Sequence, residues 1–242
     1  MPLISVCLSP QLAALQDFKG KVAVVVDILR ATTTIITALE YGVKSILPVD
    51  SVEQCRDFQE KGYIGAAERG GKIVEGFKLG NSPFDYLNPC YAGKKIVFTT
   101  TNGTKTIYSI KGAQRIVFGA FVNLQAIADF LDIQGKDVVI VCAGWEDEVN
   151  LEDTMFAGAL IDKLESSFNI EGDPGMLAHI LFLQSEGNLG VSLEGSSHLQ
   201  RLMKLELHKD IDFCLTLDKF TMIPELIHGE IIAYTPDENL DL

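Results

Sequence analysis

The chain has 242 residues, 47% of them apolar, with 33 acids against 20 lysines and arginines and a formal charge of −13. That is enough apolar material for a full core, and it rules out a disordered chain. The charge excludes a nucleic-acid partner, whose phosphates would be repelled, and leaves no basic patch for an anionic membrane, so an anionic small substrate would need cations placed locally.

Five cysteines (Cys7, Cys55, Cys90, Cys142 and Cys214) are scattered without a CxxC pair. Their odd number fits a reducing compartment better than a disulfide framework or a zinc site. No basic stretch precedes the first apolar residues, and no run approaches the roughly 20 apolar residues of a membrane span. A cytoplasmic protein is expected.

In chain order, Leu3 to Cys7 reads as a strand, and Ser9-Pro10 as the cap and first position of a helix to about Asp17. Lys21 to Thr34, KVAVVVDILRATTT, is the stretch that organises the rest. Its valine run is apolar on both faces, as in a buried parallel strand, and Asp27 marks the carboxyl end. Ile35, Ile36, Leu39 and Tyr41 then keep helical spacing up to a stop at Gly42. Ser45 to Val49 is the next strand, and Ser51 caps a helix that ends near Gly62. Tyr63 to Ala66 reads as a strand that runs into Glu68-Arg69-Gly70-Gly71. From there to Gly93 the glycines and prolines predict a long loop with a short helix at Pro83, and such loops are usually functional.

Lys95 to Thr101, KIVFTTT, restates the central strand. The stop at Gly112, the strand Arg115 to Phe118 and the cap Asn123 repeat the order of Gly42, Ser45 to Val49 and Ser51, so an internal duplication of 21–70 and 95–135 is expected. It would bring Asp27 and Asn102 to equivalent strand ends. Asp137 to Cys142 is a third strand of this type, and Asn150 caps a helix with Glu152 and Asp153 in its first turn. Past Asp173 the pattern is helical, from Pro174 to about Gln184 and from Ser196 to about Leu217 with a break near His208. Phe220 to Ile223 and Glu230 to Tyr234 read as strands around His228-Gly229. No linker interrupts the chain, so one α/β domain over 1–242 is predicted, three-layered, with a largely parallel sheet and a helical C-terminal portion.

Open α/β sheets bind ligands outside the carboxyl ends of their strands. Asp27, Glu68, Glu152 and Asp153 all fall near such ends, and carboxylate oxygens suit Mg²⁺, which shares its shell with substrate phosphate. Glu152 and Asp153 could equally serve a helix N-terminus, whereas an acid that interrupts a buried strand needs a partner. Arg30 and Arg69 could clamp an anion bidentately, or pair with Asp27 and Glu68. Thr32, Thr33, Thr34, Thr100, Thr101 and Thr104, with Asn102 and Gly103, offer hydroxyls and amides at helix starts, a ready anion site. Asn81 and Ser82, in Gly80-Asn81-Ser82-Pro83, are ordinary turn chemistry when taken alone. His179, His198, His208 and His228 lack paired ligand spacing and read as surface or core residues, and Cys142 as a buried thiol. No GxGxxG, P-loop or GxSxG motif is present.

Taken together, DILRATTT from Asp27, Glu68-Arg69-Gly70-Gly71, Gly80 to Pro83, Thr100 to Thr104, Cys142-Ala143-Gly144, and Glu152-Asp153 with Ala157-Gly158 resemble the 2-phosphosulfolactate phosphatase (ComB) family. The resemblance implies an α/β fold and Mg²⁺-dependent hydrolysis of a phosphate ester of sulfolactate, a step of coenzyme M biosynthesis. On that reading Asp27, Arg30 and Arg69 are catalytic. Thr33, Thr34, Asn81, Ser82, Thr101, Asn102, Gly103 and Thr104 bind substrate, and Asp27, Glu68, Glu152 and Asp153 hold Mg²⁺, with Asp27 as either ligand or nucleophile. Arg30 or Arg69 would take the substrate's carboxylate or sulfonate. The expected partner is a small anionic phosphate ester, and homo-oligomers stay open. The competing readings are a non-catalytic binder of an anionic metabolite and a phosphatase for another 2-phospho acid. The matching motifs leave out the helical last third.

Overall fold

Two apolar runs open the chain as strands, Leu3–Cys7 (β1) and Val22–Val26 (β2). Every residue of β2 is buried, which requires a helical layer on each side of it. Alternation along the strand assigns the sides. Val22, Val24 and Val26 share a core with Leu124, Phe156 and Leu160, whereas Ala23 and Val25 share one with Ile35, Leu39 and Ile107. The computed structural model describes residues 1–235 apart from 102, 111, 147 and 186, with the main chain alone at 104.

The remaining strands are Ser45–Pro48 (β3), Ile64–Arg69 (β4), Lys72–Ile73 (β5), Lys95–Thr99 (β6), Arg115–Gly119 (β7), Val138–Cys142 (β8), Asn169–Glu171 (β9), Pro224–Ile227 (β10) and Glu230–Ala233 (β11). The helices are Ala31–Glu40 (α1), Val52–Glu60 (α2), Gly103–Ser109 (α3), Leu124–Gln134 (α4), Leu151–Leu164 (α5), Gly172–Leu183 (α6), Leu189–Leu193 (α7), Ser197–Lys204 (α8) and His208–Cys214 (α9). None among the described residues is long and apolar enough to cross a membrane.

The strands form one sheet in the order β5-β4-β6-β3-β11-β10-β7-β2-β8-β1-β9. From β7 to β9 all pairings are parallel, as are those of β3, β6 and β4. The β10–β11 hairpin is antiparallel to its neighbours on both sides and joins the two parallel blocks through Glu225↔Val117 and Ile231↔Ile46. Buried Glu225 receives two bonds from the Arg115 guanidinium, at 2.6 and 2.8 Å. On the other edge, Glu230 meets Lys95 at 2.8 Å and the Tyr63 hydroxyl at 2.7 Å. On one side of the hairpin β6 lies between β4 and β3, and on the other β2 lies between β8 and β7. Of the segments 21–70 and 95–135, the second thus places β6 between the first's β3 and β4, and the first places β2 beside the second's β7.

Local details depart from expectation where tertiary contacts decide. Ser9 makes no side-chain cap, and Pro10–Leu15 is a 3₁₀ turn. The strand expected at 220–223 lies at Pro224–Ile227, because the Phe220 amide donates instead to the Val122 carbonyl at 2.8 Å. β4 runs on to Arg69, so Glu68 sits within the strand. β9 and α7, three and five residues long, are additions that carry little periodicity. The Ala157-Gly158 pair marks a helix crossing: a Cβ on Gly158 would lie 2.0 Å from the Ala178 carbonyl oxygen of α6.

Candidate active site

Asp27 closes β2, and the threonines after it fold the chain back over its carboxylate. The Thr32 hydroxyl donates to the Asp27 carbonyl at 2.9 Å and accepts from the Asp27 amide at 3.1 Å. Thr33 donates to the Ile28 carbonyl at 3.1 Å, and Thr34 donates to the Asn81 carbonyl at 3.0 Å, pinning the long loop onto α1. Thr33 and Thr34 thus shape the site and do not line it. The Ala31 amide donates to Asp27 Oδ1 at 3.2 Å. Gly103 comes so close that a Cβ there would stand 3.0 Å from Asp27 Oδ2 and 2.9 Å from the Ala31 Cβ, which explains a glycine at this position.

A cavity of about 170 Å³ opens beside this carboxylate. Asp27, Glu68, Asn81, Thr100 and Thr101 line it from the strand ends and the long loop, with Arg30, Gly70 and Gly71 beside them. Trp145 and Glu146, after β8, and His198, Arg201 and Leu202, on α8, close the other wall. Glu68 accepts from the Gly71 amide and lies 3.4 Å from the Thr101 hydroxyl. The side-chain oxygen of Asn81 is buried and has no hydrogen-bond partner among the described residues. A buried amide oxygen without a partner costs stability, so one at a cavity wall points to a ligand. Asn102 and the Thr104 side chain lie outside the described residues.

Four acids were expected to hold a metal, and the fold divides them into two pairs. Asp27 and Glu68 line the cavity. Asp153 is a brace: Oδ1 accepts from the Ile28 amide at 2.8 Å, and Oδ2 from the Gly144 amide at 3.2 Å and Asn150 Nδ2 at 3.0 Å. These bonds tie the turn after β2 to the turn after β8. Glu152, also buried, holds α8, since His198 Nδ1 lies 2.7 Å from Oε1 and the Ser196 hydroxyl donates to Oε2 at 3.0 Å. Among the described residues, the only three metal-ligating side chains whose ligand atoms lie within 4.8 Å of one another are Asp162 near the end of α5, Glu165 just past it and His179 on α6.

Burial raises the Asp27 carboxyl from 3.8 to about 6, against the Ala31 amide bond and His198, which favour its ionised form, and with Glu68 and Glu152, which oppose it. Burial, then Asp27 and Glu152, also push Asp153 upward. The Cys142 thiol is buried, as expected, and burial raises it well above its ordinary value.

The arginines are placed less evenly than their motifs suggest. Arg30 is buried against Asp210 of α9, not against Asp27, and its Nη2 donates to the Gly71 carbonyl at 3.3 Å. Ser82 donates to the same Asp210 at 3.1 Å. Arg69 does not line the cavity; it donates to its neighbour Glu68's carbonyl at 2.6 Å and to the Thr99 hydroxyl at 3.0 Å. His198, read from sequence as a surface or core residue, belongs to the site and stacks on Trp145 at 5.4 Å with 7° between the planes. Arg201 stands over Trp145, 5.9 Å from the ring centroid. His198, Arg201 and Asp210 come from the helical third, where no motif marks them; only the single tryptophan stands out in the sequence.

Residues 7–229 match the family described as 2-phosphosulpholactate phosphatase. Three relatives each carry the name "Probable 2-phosphosulfolactate phosphatase". That of Caldanaerobacter subterraneus subsp. tengcongensis is 39% identical over 219 residues, covering 88% of this chain and 91% of the relative. That of Thermotoga maritima is 38% identical over 212 residues, covering 88% and 92%. That of Gloeobacter violaceus is 40% identical over 207 residues, covering 84% and 86%. The matched span takes in the strand ends with Asp27 and Glu68 and equally the helices that supply His198, Arg201 and Asp210, and on that breadth the chain belongs to the 2-phosphosulpholactate phosphatase family.

Proposed function

We propose that the protein hydrolyses 2-phosphosulfolactate to sulfolactate and phosphate, with Mg²⁺ held by Asp27 and Glu68 and by the side-chain oxygen of Asn81. The observation that carries this reading is the convergence of two carboxylates and one unpartnered buried amide oxygen on a single cavity. The donor set fits the ion, because Mg²⁺ takes hard oxygens and is usually held by one or two carboxylates plus waters and substrate phosphate. When bound, it neutralises phosphate charge in a reaction that depends mostly on positioning and electrostatics. Arg30, fixed by Asp210, and Asp153, fixed by three N–H groups, keep the turn around Asp27 rigid. With Nδ1 of His198 held by Glu152, Nε2 is the nitrogen left to give a proton to the departing alkoxide oxygen. The printed names of the relatives support the substrate. The symmetric strand order supports reading 21–70 and 95–135 as a duplicated unit within one domain, and the charge and scattered thiols support a cytoplasmic protein without a nucleic-acid partner.

Phosphate release from 2-phosphosulfolactate should stop in excess EDTA and return when Mg²⁺ is restored. Turnover that persists with chelator would overturn the metal assignment. A protein that only binds an anionic metabolite would release no phosphate from any ester in a panel of small 2-phospho acids and aryl phosphates.

The Asp27 shift gives a pH test with a definite sign. A carboxyl raised from 3.8 to about 6 in the folded state binds more protons than in the unfolded chain. Without metal its cost is absent below the unfolded value and fully present above 6, so stability falls as pH rises through this window. Mg²⁺ binds the ionised form, so its apparent affinity should drop roughly tenfold per pH unit below 6. The rise in Tm on adding MgCl₂ should therefore be larger at pH 7.5 than at pH 5. Equal rises at the two pH values would remove Asp27 from the ligand set.

A further inference from the structure

Resting on the phosphatase reading, we infer that Arg201 grips the sulfonate of the substrate and sets the preference for a sulfonated 2-phospho acid. Such a substrate carries phosphate, carboxylate and sulfonate, and it enters a cavity lined by Asp27 and Glu68. It therefore needs cations from the protein. Arg30 is engaged with Asp210 and the Gly71 carbonyl, and Arg69 bonds Thr99 and does not line the cavity. Arg201 lines the cavity and, among the described residues, has no carboxylate or hydrogen-bond partner, only the Trp145 ring. In a chain with 33 acids, a half-buried guanidinium that, among the described residues, pairs with none of the acids sharing its cavity, Asp27, Glu68 and Glu146, is provided for a ligand.

Its surroundings suit a sulfonate. Gly70 and Gly71, with φ of +64° and +82°, set bare backbone beside the guanidinium, where a Cβ on either would lie 3.9 or 3.7 Å from Arg201 Nη2. Trp145 and Leu202 supply apolar wall for the methylene that carries the sulfur. The ring that supports Arg201 is itself stacked on His198, which Glu152 holds. Glu152 thus acts through His198 and Trp145 to aim the guanidinium. A planar fork of donors on a weakly hydrated cation matches the oxygens of a weakly hydrated anion.

The test compares 2-phosphosulfolactate with 2-phospholactate, which keeps phosphate and carboxylate and has hydrogen in place of the sulfonate. In Arg201→Gln, which keeps most of the stem, the ratio of kcat/KM for the two esters should fall about ten- to a hundredfold, with Arg201→Lys in between. An unchanged ratio overturns the assignment, whether both activities fall together or neither moves. Titration calorimetry with sulfolactate and lactate separates this proposal from the one it rests on. If the wild type hydrolyses neither ester but binds sulfolactate more tightly than lactate, and Arg201→Gln loses that difference, the grip stands and the phosphatase reading falls. If the variant keeps the difference, the grip falls whatever the turnover. A melting curve for each variant, with Arg201→Lys as the milder change, guards against reading a folding defect as lost affinity.

Discussion

Asp27→Asn should lower turnover of the phosphate ester by about 10²- to 10⁴-fold, the range for one catalytic group, while the folded state persists. The substitution keeps the shape that accepts the Ala31 amide and removes the charge needed to hold a cation. Because burial has already raised this carboxyl to about 6, a neutral isostere relieves a cost of folding. In the absence of Mg²⁺ the variant's Tm at pH 7.5 should equal or exceed that of the wild type, and addition of MgCl₂ should no longer raise it. Near wild-type kcat in Asp27→Asn would reduce the residue to a cap for α1.

The largest stability effect is expected at Asp210, far along the chain from the strand ends. Both members of the Arg30–Asp210 pair are buried, with side-chain exposures of 4% and 8%. Removing one partner of a buried pair leaves a desolvated charge and typically costs about 3–5 kcal/mol. Among the described residues, Asp210→Ala would leave Arg30 with only the Gly71 carbonyl, and it would remove the acceptor of the Ser82 hydroxyl as well. The urea midpoint should fall accordingly, and activity with it, since Arg30 shapes the turn next to Asp27. A loss below about 1 kcal/mol, as in solvent-exposed pairs, would show that water reaches this pair and screens it.

The sequence is legible where local pattern and tertiary environment agree. A valine run buried on both faces is recognisable as an inner strand, and an acid that ends it stands out because burial makes acids costly. The glycine stops at Gly42 and Gly62 have φ of +88° and +92° and mark helix ends as the pattern implies. The two pairs of acids are not separable in the same way. Asp153 sits at the start of a helix in a family motif, yet only the fold shows that three N–H groups from two turns and Asn150 take up its oxygens. The same holds for Thr32, Thr33 and Thr34, whose hydroxyls bond the backbone, with Thr34 reaching Asn81. His198, Arg201 and Asp210 are harder still. A polar residue on an amphipathic helix looks alike whether it meets water or a cavity, and helical periodicity carries no information about which sheet edge the helix will cover.

Inserting the C-terminal hairpin between two parallel blocks has a consequence for how the protein is made. As the chain leaves the ribosome, β3 and β7 each present a row of unpaired amides and carbonyls until the last strands arrive. Exposed edges of this kind recruit other chains. The nascent protein therefore passes through a stage in which two half-sheets could pair with each other or with a neighbour. Once β10 arrives, Glu225 fixes its register, because the buried carboxylate meets Arg115 there and a slip would take its charge away from that partner. A release just short of residue 224 would leave every cavity residue synthesised and the two blocks unjoined, so shortened chains should accumulate in the insoluble fraction.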